Sequence, residues 1–272
     1  MNNSPIGIFD SGIGGLTVVQ ALHELMPAEN VIYFADSIHL PYGEKTMDEI
    51  YKYSKAITEY LLSRGCKIIV IACNTASAAS LKKLREEFPS VTFIGMEPAV
   101  KPAAEQSLTK AVGVIATTAT FQGELFASVV ERFAQGVDVL RQPCPGLVQQ
   151  IEAGELDTPE TETMLRGWVE PMLKKNIDAL VLGCTHYPFV KPLLEKICGP
   201  SVRIIDPAPA VARRTRHLLE QENALAEMAQ QGIVHYYTSG PADEMAKQIR
   251  LLRVDDGKNC FGLKWVEGKL VS

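Results

Sequence analysis

Short apolar runs alternate with longer stretches of mixed polarity along most of the chain. Residues 6–9, 31–35, 68–72 and 91–95 are brief, rich in Ile and Val, and bounded by Gly, Pro, Asp or Asn. Such runs predict strands buried on both faces. Between them, residues 16–25, 47–63 and 77–87 carry apolar positions at helical spacing. The alternation predicts a parallel sheet covered by helices on both faces.

The pattern then returns. Residues 112–116, 137–140, 179–183 and 202–205 are four further candidate strands separated by helical stretches. Ile8 pairs with Ile115, Val31 with Val137, Cys73 with Cys184 and Val91 with Val202, all at nearly one separation. Pro98-Ala99-Val100 repeats as Pro209-Ala210-Val211 in the same register. Repetition of a whole unit in register favours duplication over chance self-similarity. The expected fold is α/β: two similar parallel-sheet domains related by pseudo-symmetry, with the active site in the cleft between them. Beyond Val211 the chain predicts a helix through about Gln231, a strand over 233–237, a helix near 242–252 and a loose end. This extension has no counterpart in the first half and is expected to return to the first domain. The expected domains are therefore 1–97 with 211–272, and 98–210.

Composition narrows the class. The chain has 272 residues, 46% hydrophobic and 22% charged, as in ordinary globular proteins. Lys and Arg number 27 against 32 for Asp and Glu, a net charge of −5, which argues against a nucleic-acid partner. No apolar run approaches the roughly 20 residues that a bilayer requires, so no membrane partner is expected. The first residues lack a basic stretch followed by an apolar one, which predicts no secretory signal. Six cysteines are scattered without a C-x-x-C pair; the expectation is a cytoplasmic protein with reduced thiols.

Specific groups fall at equivalent points of the two halves. Asp10-Ser11-Gly12 follows the first strand of one half, and Thr117-Thr118-Ala119-Thr120 the first strand of the other. Cys73-Asn74-Thr75 and Cys184-Thr185-His186 follow matching later strands. Ligands of open α/β sheets bind beyond the carboxyl ends of strands, so facing domains would gather all four motifs around one cleft. Thr75 reads as an N-cap for a helix over 76–87, and Pro188 suits the first turn of a helix ending near Gly199. A helix N-terminus favours the ionised form of a thiol placed there. Two such thiols suit removal of a proton from one face of a carbon and delivery to the other, without a cofactor.

Other readings of the same residues weigh less. A cysteine at a strand end is often a small buried hydrophobe, and Cys66, Cys144, Cys198 and Cys260 are read so. A zinc site from Cys73, Cys184 and His186 lacks the usual paired-ligand spacing, and a disulfide between the two thiols does not suit the compartment. Gly12, Gly14 and Gly15 resemble a dinucleotide loop, but Thr17 stands where its third glycine belongs. Ser11 and nearby N–H groups could still hold a carboxylate. His23, His39, His217 and His235 join no constellation, and Pro41-Tyr42-Gly43 is a turn before it is a lid.

Read together, these motifs place the chain beside a known family. Gly7-Ile8-Phe9-Asp10-Ser11-Gly12-Ile13-Gly14-Gly15-Leu16, Pro41-Tyr42-Gly43, Ala72-Cys73-Asn74-Thr75-Ala76-Ser77, Gly183-Cys184-Thr185-His186-Tyr187-Pro188 and Asp206-Pro207 occur in family order across nearly the whole chain. The sequence resembles the glutamate racemases of the aspartate/glutamate racemase family. The resemblance implies cofactor-independent interconversion of L- and D-glutamate, supplying D-glutamate for peptidoglycan, by a homodimer that uses no metal. It implies Cys73 as base for the D-enantiomer and Cys184 for the L-enantiomer. Asp10 and His186 would assist them, with Glu152 a further candidate. Asp10, Ser11, Pro41, Tyr42, Gly43, Asn74, Thr75, Thr118, Thr120, Thr185 and His186 would line the substrate together with the two thiols. An aspartate racemase, a non-catalytic two-lobed binding protein and a pyridoxal-dependent racemase remain as rivals. No lysine in these motifs suits the last.

Overall fold

The computed structural model of the chain describes residues 2–227 and 231–271. It divides into two compact units, one running to Met96 and resuming at Ala208, the other spanning Glu97–Pro207. The first begins β1 (Ile6–Asp10), α1 (Leu16–Leu25), β2 (Val31–Ala35), α2 (Met47–Ser63), β3 (Ile68–Ile71), α3 (Asn74–Glu87) and β4 (Phe93–Gly95). The second contains α4 (Val100–Glu105), β5 (Ala111–Ala116), α5 (Thr118–Gln122), α6 (Glu124–Phe133), β6 (Asp138–Pro143) and α7 (Leu147–Glu152). It continues with α8 (Pro159–Leu173), β7 (Ala179–Gly183), α9 (Lys191–Cys198) and β8 (Arg203–Ile205). The first unit is completed by α10 (Ala208–Gln221), β9 (Val234–Thr238), α11 (Ala242–Leu251), β10 (Cys260–Gly262), β11 (Lys264–Val266) and β12 (Lys269–Val271).

Both units contain the same parallel core. Strand order is β2-β1-β3-β4 within the first sheet and β6-β5-β7-β8 in the second. Every residue of β1, β2, β3, β5 and β7 is buried, as strands covered on both faces must be. On the solvent side, α2 opens with a capping box: Thr46 Oγ1 accepts from the Glu49 N–H, and the Glu49 carboxylate accepts from the Thr46 N–H. β6 is an edge strand with mixed exposure and ends on Pro143, where a missing donor costs nothing.

The C-terminal region departs most from the sequence reading. β9 adds to β2 and β10 to β9, both parallel, which extends the first sheet to six strands. Residues after 252 read as a loose end, yet they form β10 and the β11–β12 hairpin. Each of these strands is only three residues long, too short for alternation to register. The hairpin turns on Glu267-Gly268, both at positive φ (49° and 76°), as a two-residue turn of this hand demands. The helix expected through Gln231 stops at Gln221 because Asn223 adopts a left-handed conformation (φ 50°). Residues 228–230 of that expected helix lie outside the described residues. Residues 208–210 form the first turn of α10.

One buried ion pair fastens the amino end of the first sheet. Lys67 Nζ lies 2.6 Å from Glu29 Oε2, both side chains under 5% exposed (4% and 3%). The ammonium also donates to the Asn2 and Ala224 carbonyls, at 2.7 and 2.8 Å, and Glu29 Oε1 accepts from the Ala226 N–H. Removing one partner of a buried pair strands the other charge, at about 3–5 kcal/mol. Lys67→Met is therefore expected to lower the unfolding free energy of the first unit by about that amount in denaturant titration. Lys67→Met with Glu29→Leu should recover most of the loss.

Candidate active site

In the first unit the motif residues collect at the carboxyl ends of three neighbouring strands, β2, β1 and β3. β1 ends in Asp10, which is fully buried; its Oδ2 accepts from the Gly12 N–H at 2.9 Å. Tyr33 donates to the Gly12 carbonyl. A Cβ at Gly15 would stand 2.8 Å from Asp10 Cβ and 2.9 Å from the Tyr33 ring. Glycine is required there by this close approach, and not by a dinucleotide.

Cys73 follows β3 and is itself the N-cap of α3, its Sγ accepting from the Ala76 N–H at 3.3 Å. This corrects the expected cap at Thr75, which lies one residue inside the helix. A sulfur in that position receives a free first-turn N–H directly, so the positive helix end acts on the thiol itself. Ser11 Oγ lies 3.9 Å from the same Sγ. Asn74 and Thr75 are buried, at 2% and 3% exposure. Both polar atoms of the Asn74 amide lack a hydrogen-bond partner among the described residues. Buried amides are ordinarily satisfied, so Asn74 has two bonds to offer a ligand.

Pro41, Tyr42 and Gly43 follow β2, where residues Tyr42–Glu44 form a 3₁₀ turn. The buried Tyr42 hydroxyl donates to Asp36 Oδ2 at 2.7 Å. Burial, and after it the Asp36 carboxylate, hold the Tyr42 phenol well above its ordinary range, with Cys73 and Asp10 adding to the effect. It stays a neutral donor already committed to Asp36. What this turn offers a ligand is its backbone, since its first N–H groups have no intrahelical acceptor. Asp36 and His39 were missed in the sequence: His39, read as outside any constellation, places Nδ1 2.8 Å from Asp36 Oδ2.

The second unit repeats the placement with different chemistry. Thr117 caps α5, accepting from the Thr120 N–H at 3.2 Å, and the two hydroxyls lie 2.9 Å apart. Thr118 is exposed and Thr120 buried. β7 delivers Cys184 and Thr185, both buried. A Cβ at Gly183 would meet Ala116 Cβ at 2.8 Å and the Ile115 carbonyl at 2.9 Å, so only glycine lets β7 lie this close to β5 before the thiol. The expected single helix after Cys184 is instead a 3₁₀ turn (Tyr187–Val190) followed by α9. Pro188 and Pro192 each occupy a first turn, and neither can donate the bond that would join the two pieces. Cys184 therefore precedes a short turn and does not cap an α-helix.

Its companion is His186. Nδ1 of His186 lies 3.8 Å from Cys184 Sγ, and Nε2 lies 2.7 Å from Glu152 Oε1 on α7. Burial would push this imidazole down, but the bonds to Cys184 and Glu152 outweigh it and hold the pKa well above the ordinary value. This environment favours the protonated ring, which lies between the Cys184 sulfur and the Glu152 carboxylate. The structure thus brings together Asp10, Ser11, Cys73, Asn74 and Thr75 in one unit, and Glu152, Cys184, Thr185 and His186 in the other.

The remaining cysteines fit the sequence reading with one exception. Burial pushes the Cys66 thiol up to about 12 and the Cys198 thiol up to about 11. Cys144 is raised by burial and then by Cys184. Cys260 is only half-buried, on the edge strand β10. Among the described residues no cluster of three or more His, Cys, Asp and Glu is placed to hold a metal ion, and no helix is long and apolar enough to cross a membrane.

Comparison with known proteins gives one consistent picture. Residues 6–215 match the family model described as Asp/Glu/Hydantoin racemase. A glutamate racemase of Ectopseudomonas mendocina is 49% identical over 254 residues, covering 93% of this chain and 96% of that protein. A crystal structure of a Bacillus anthracis glutamate racemase isoform superposes with a TM-score of 0.89 at 28% identity, covering 99% of this chain and all (100%) of that one. The Francisella tularensis glutamate racemase, crystallised in complex with D-glutamate, gives a TM-score of 0.81 at 32% identity, over 93% and 95% of the two chains.

His186 also yields a pH prediction. Its raised pKa contributes stability that is complete below the ordinary histidine value of about 6.5 and is lost as pH rises through the folded value. Glu152→Gln removes one support of the imidazolium. The His186 pKa is expected to fall, read by ¹⁵N NMR titration of the imidazole, and its stability contribution should fade at correspondingly lower pH.

Proposed function

The chain belongs to the Asp/Glu/hydantoin racemase family, and on that basis we propose that it interconverts L- and D-glutamate through two thiols. The observation that carries this reading is the pair of buried cysteines at equivalent strand ends, each with its own assistant. Relatives 43–49% identical over nearly the whole chain bear the name glutamate racemase, which favours glutamate over aspartate.

In the proposed reaction, Cys184 as thiolate takes the α-proton of L-glutamate and Cys73 delivers a proton to the opposite face. The roles exchange for D-glutamate. Each cycle leaves the thiols in swapped protonation states, and no net proton is gained or lost. The His186 imidazolium, held by Glu152, stabilises negative charge on Cys184. The N–H at the start of α3 and the Ser11 hydroxyl do so for Cys73, while Asp10 would assist as a proton acceptor. The α-proton of an amino acid is barely acidic, so the site must stabilise the carbanion-like transition state more than the ground state. Neutral donors would do this: the Asn74 amide, the hydroxyls of Ser11, Thr75, Thr118, Thr120 and Thr185, and the backbone N–H groups at Tyr42 and Gly43. Excluding water strengthens each of these bonds. The product would supply D-glutamate for peptidoglycan.

The purified protein without added cofactor is expected to racemise glutamate from either enantiomer, followed by circular dichroism. Cys73→Ala and Cys184→Ala should each reduce the rate by at least about 10³-fold, as loss of a general base or acid would. In heavy water, product from the first turnover should carry deuterium at the α-carbon. Unlabelled product would contradict the two-thiol scheme.

A further inference from the structure

The Asp36 carboxylate is fully buried and carries four donors on its two oxygens. Oδ2 accepts from the Tyr42 hydroxyl at 2.7 Å and contacts His39 Nδ1 at 2.8 Å. Oδ1 accepts from the Ser239 hydroxyl at 2.9 Å and the Trp265 indole N–H at 2.8 Å. Four donors fill the acceptor sites of a carboxylate, so its plane is fixed by both sets. The first set belongs to the segment between β2 and α2. The second comes from the C-terminal extension: Ser239 just after β9, and Trp265 in the β11–β12 hairpin.

Aromatic packing reinforces the link. His39 stacks on Tyr53 of α2 at 3.9 Å with 10° between planes, and the Trp265 ring meets both edge-on, at 5.1 and 5.8 Å. Trp265 and Leu270, directly opposed in the hairpin, both pack against the core beneath α2. A carboxylate buried without Trp265 and Ser239 would lose the donors on one oxygen. It would then be free to rotate away from Tyr42.

We propose that Trp265 is a positioning residue for the Pro41–Tyr42–Gly43 turn, acting through Asp36, and that the C-terminal hairpin is a strap setting the backbone donors of that turn. The inference rests on the proposed function only in assigning those donors to glutamate. Trp265 touches no reacting atom; its effect passes from the indole N–H to Asp36 Oδ1, through the carboxylate, and from Oδ2 to Tyr42.

The test is Trp265→Phe in the full chain, which keeps an aromatic ring in the hairpin and removes the N–H. Hydrogen exchange of residues 37–45 is expected to accelerate at least about tenfold while α2 keeps its protection. The loss of kcat/KM for glutamate should be about tenfold and fall mainly on KM. Tyr42→Phe combined with Trp265→Phe should cost little more than the worse single change, because both act through one carboxylate. Should Trp265→Phe not fold, Ser239→Ala removes the other Oδ1 donor and should loosen the same turn. Unchanged exchange over 37–45 in the folded variant, or fully additive losses in the double variant, overturns the proposal. A wild-type protein unable to racemise glutamate counts against the proposed function alone, since exchange still reads the turn.

Discussion

A parallel strand that ends into a helix leaves unsatisfied N–H groups at its carboxyl edge, and this constraint organises the molecule. Beyond β3 one such group is met by a sulfur: Cys73 Sγ accepts from the N–H of Ala76, the third residue of α3, and so caps the helix. The cap fixes the thiol's direction and lets the positive helix end act on it. Asp10 and Ser11 reach the same edge because β1 lies beside β3 and because glycine at 15 lets Tyr33 and Asp10 pack against the turn.

The two units share a strand order and differ in how they treat the thiol. In the second, the prolines at 188 and 192 replace a continuous helix with a 3₁₀ turn and a separate α9, removing the helix cap from Cys184. An imidazole held by Glu152, with its pKa raised, stands in its place. In the proposed reaction, whose two directions take mirror-image substrates, Cys73 would rely on backbone donors and Cys184 on the His186–Glu152 pair.

Much of this was legible in the residues. The limits of α1 and α2 follow directly from helical spacing, and the repeated strands follow from short Ile- and Val-rich runs. Candidate residues surfaced because Cys73 and Cys184 share a register. Other features depend on tertiary contacts that periodicity does not carry. Strands of three residues, such as β10, offer no period to read. The cap at Cys73 is a sulfur acceptor where Ser, Thr, Asp or Asn is the usual signal. Asp36 gathers partners from residues about two hundred positions downstream, and nothing near Asp36 in the chain announces them.

The proposed two-thiol reaction requires one amino acid to lie between the two sulfurs. A crystal structure of the protein grown with glutamate tests it most directly. The expected result is a single glutamate whose α-carbon lies within about 3.5 Å of Cys73 Sγ on one face and of Cys184 Sγ on the other, with its polar groups on Asn74. Glutamate reached by only one of the two thiols, with the other opening onto a separate space, would contradict it.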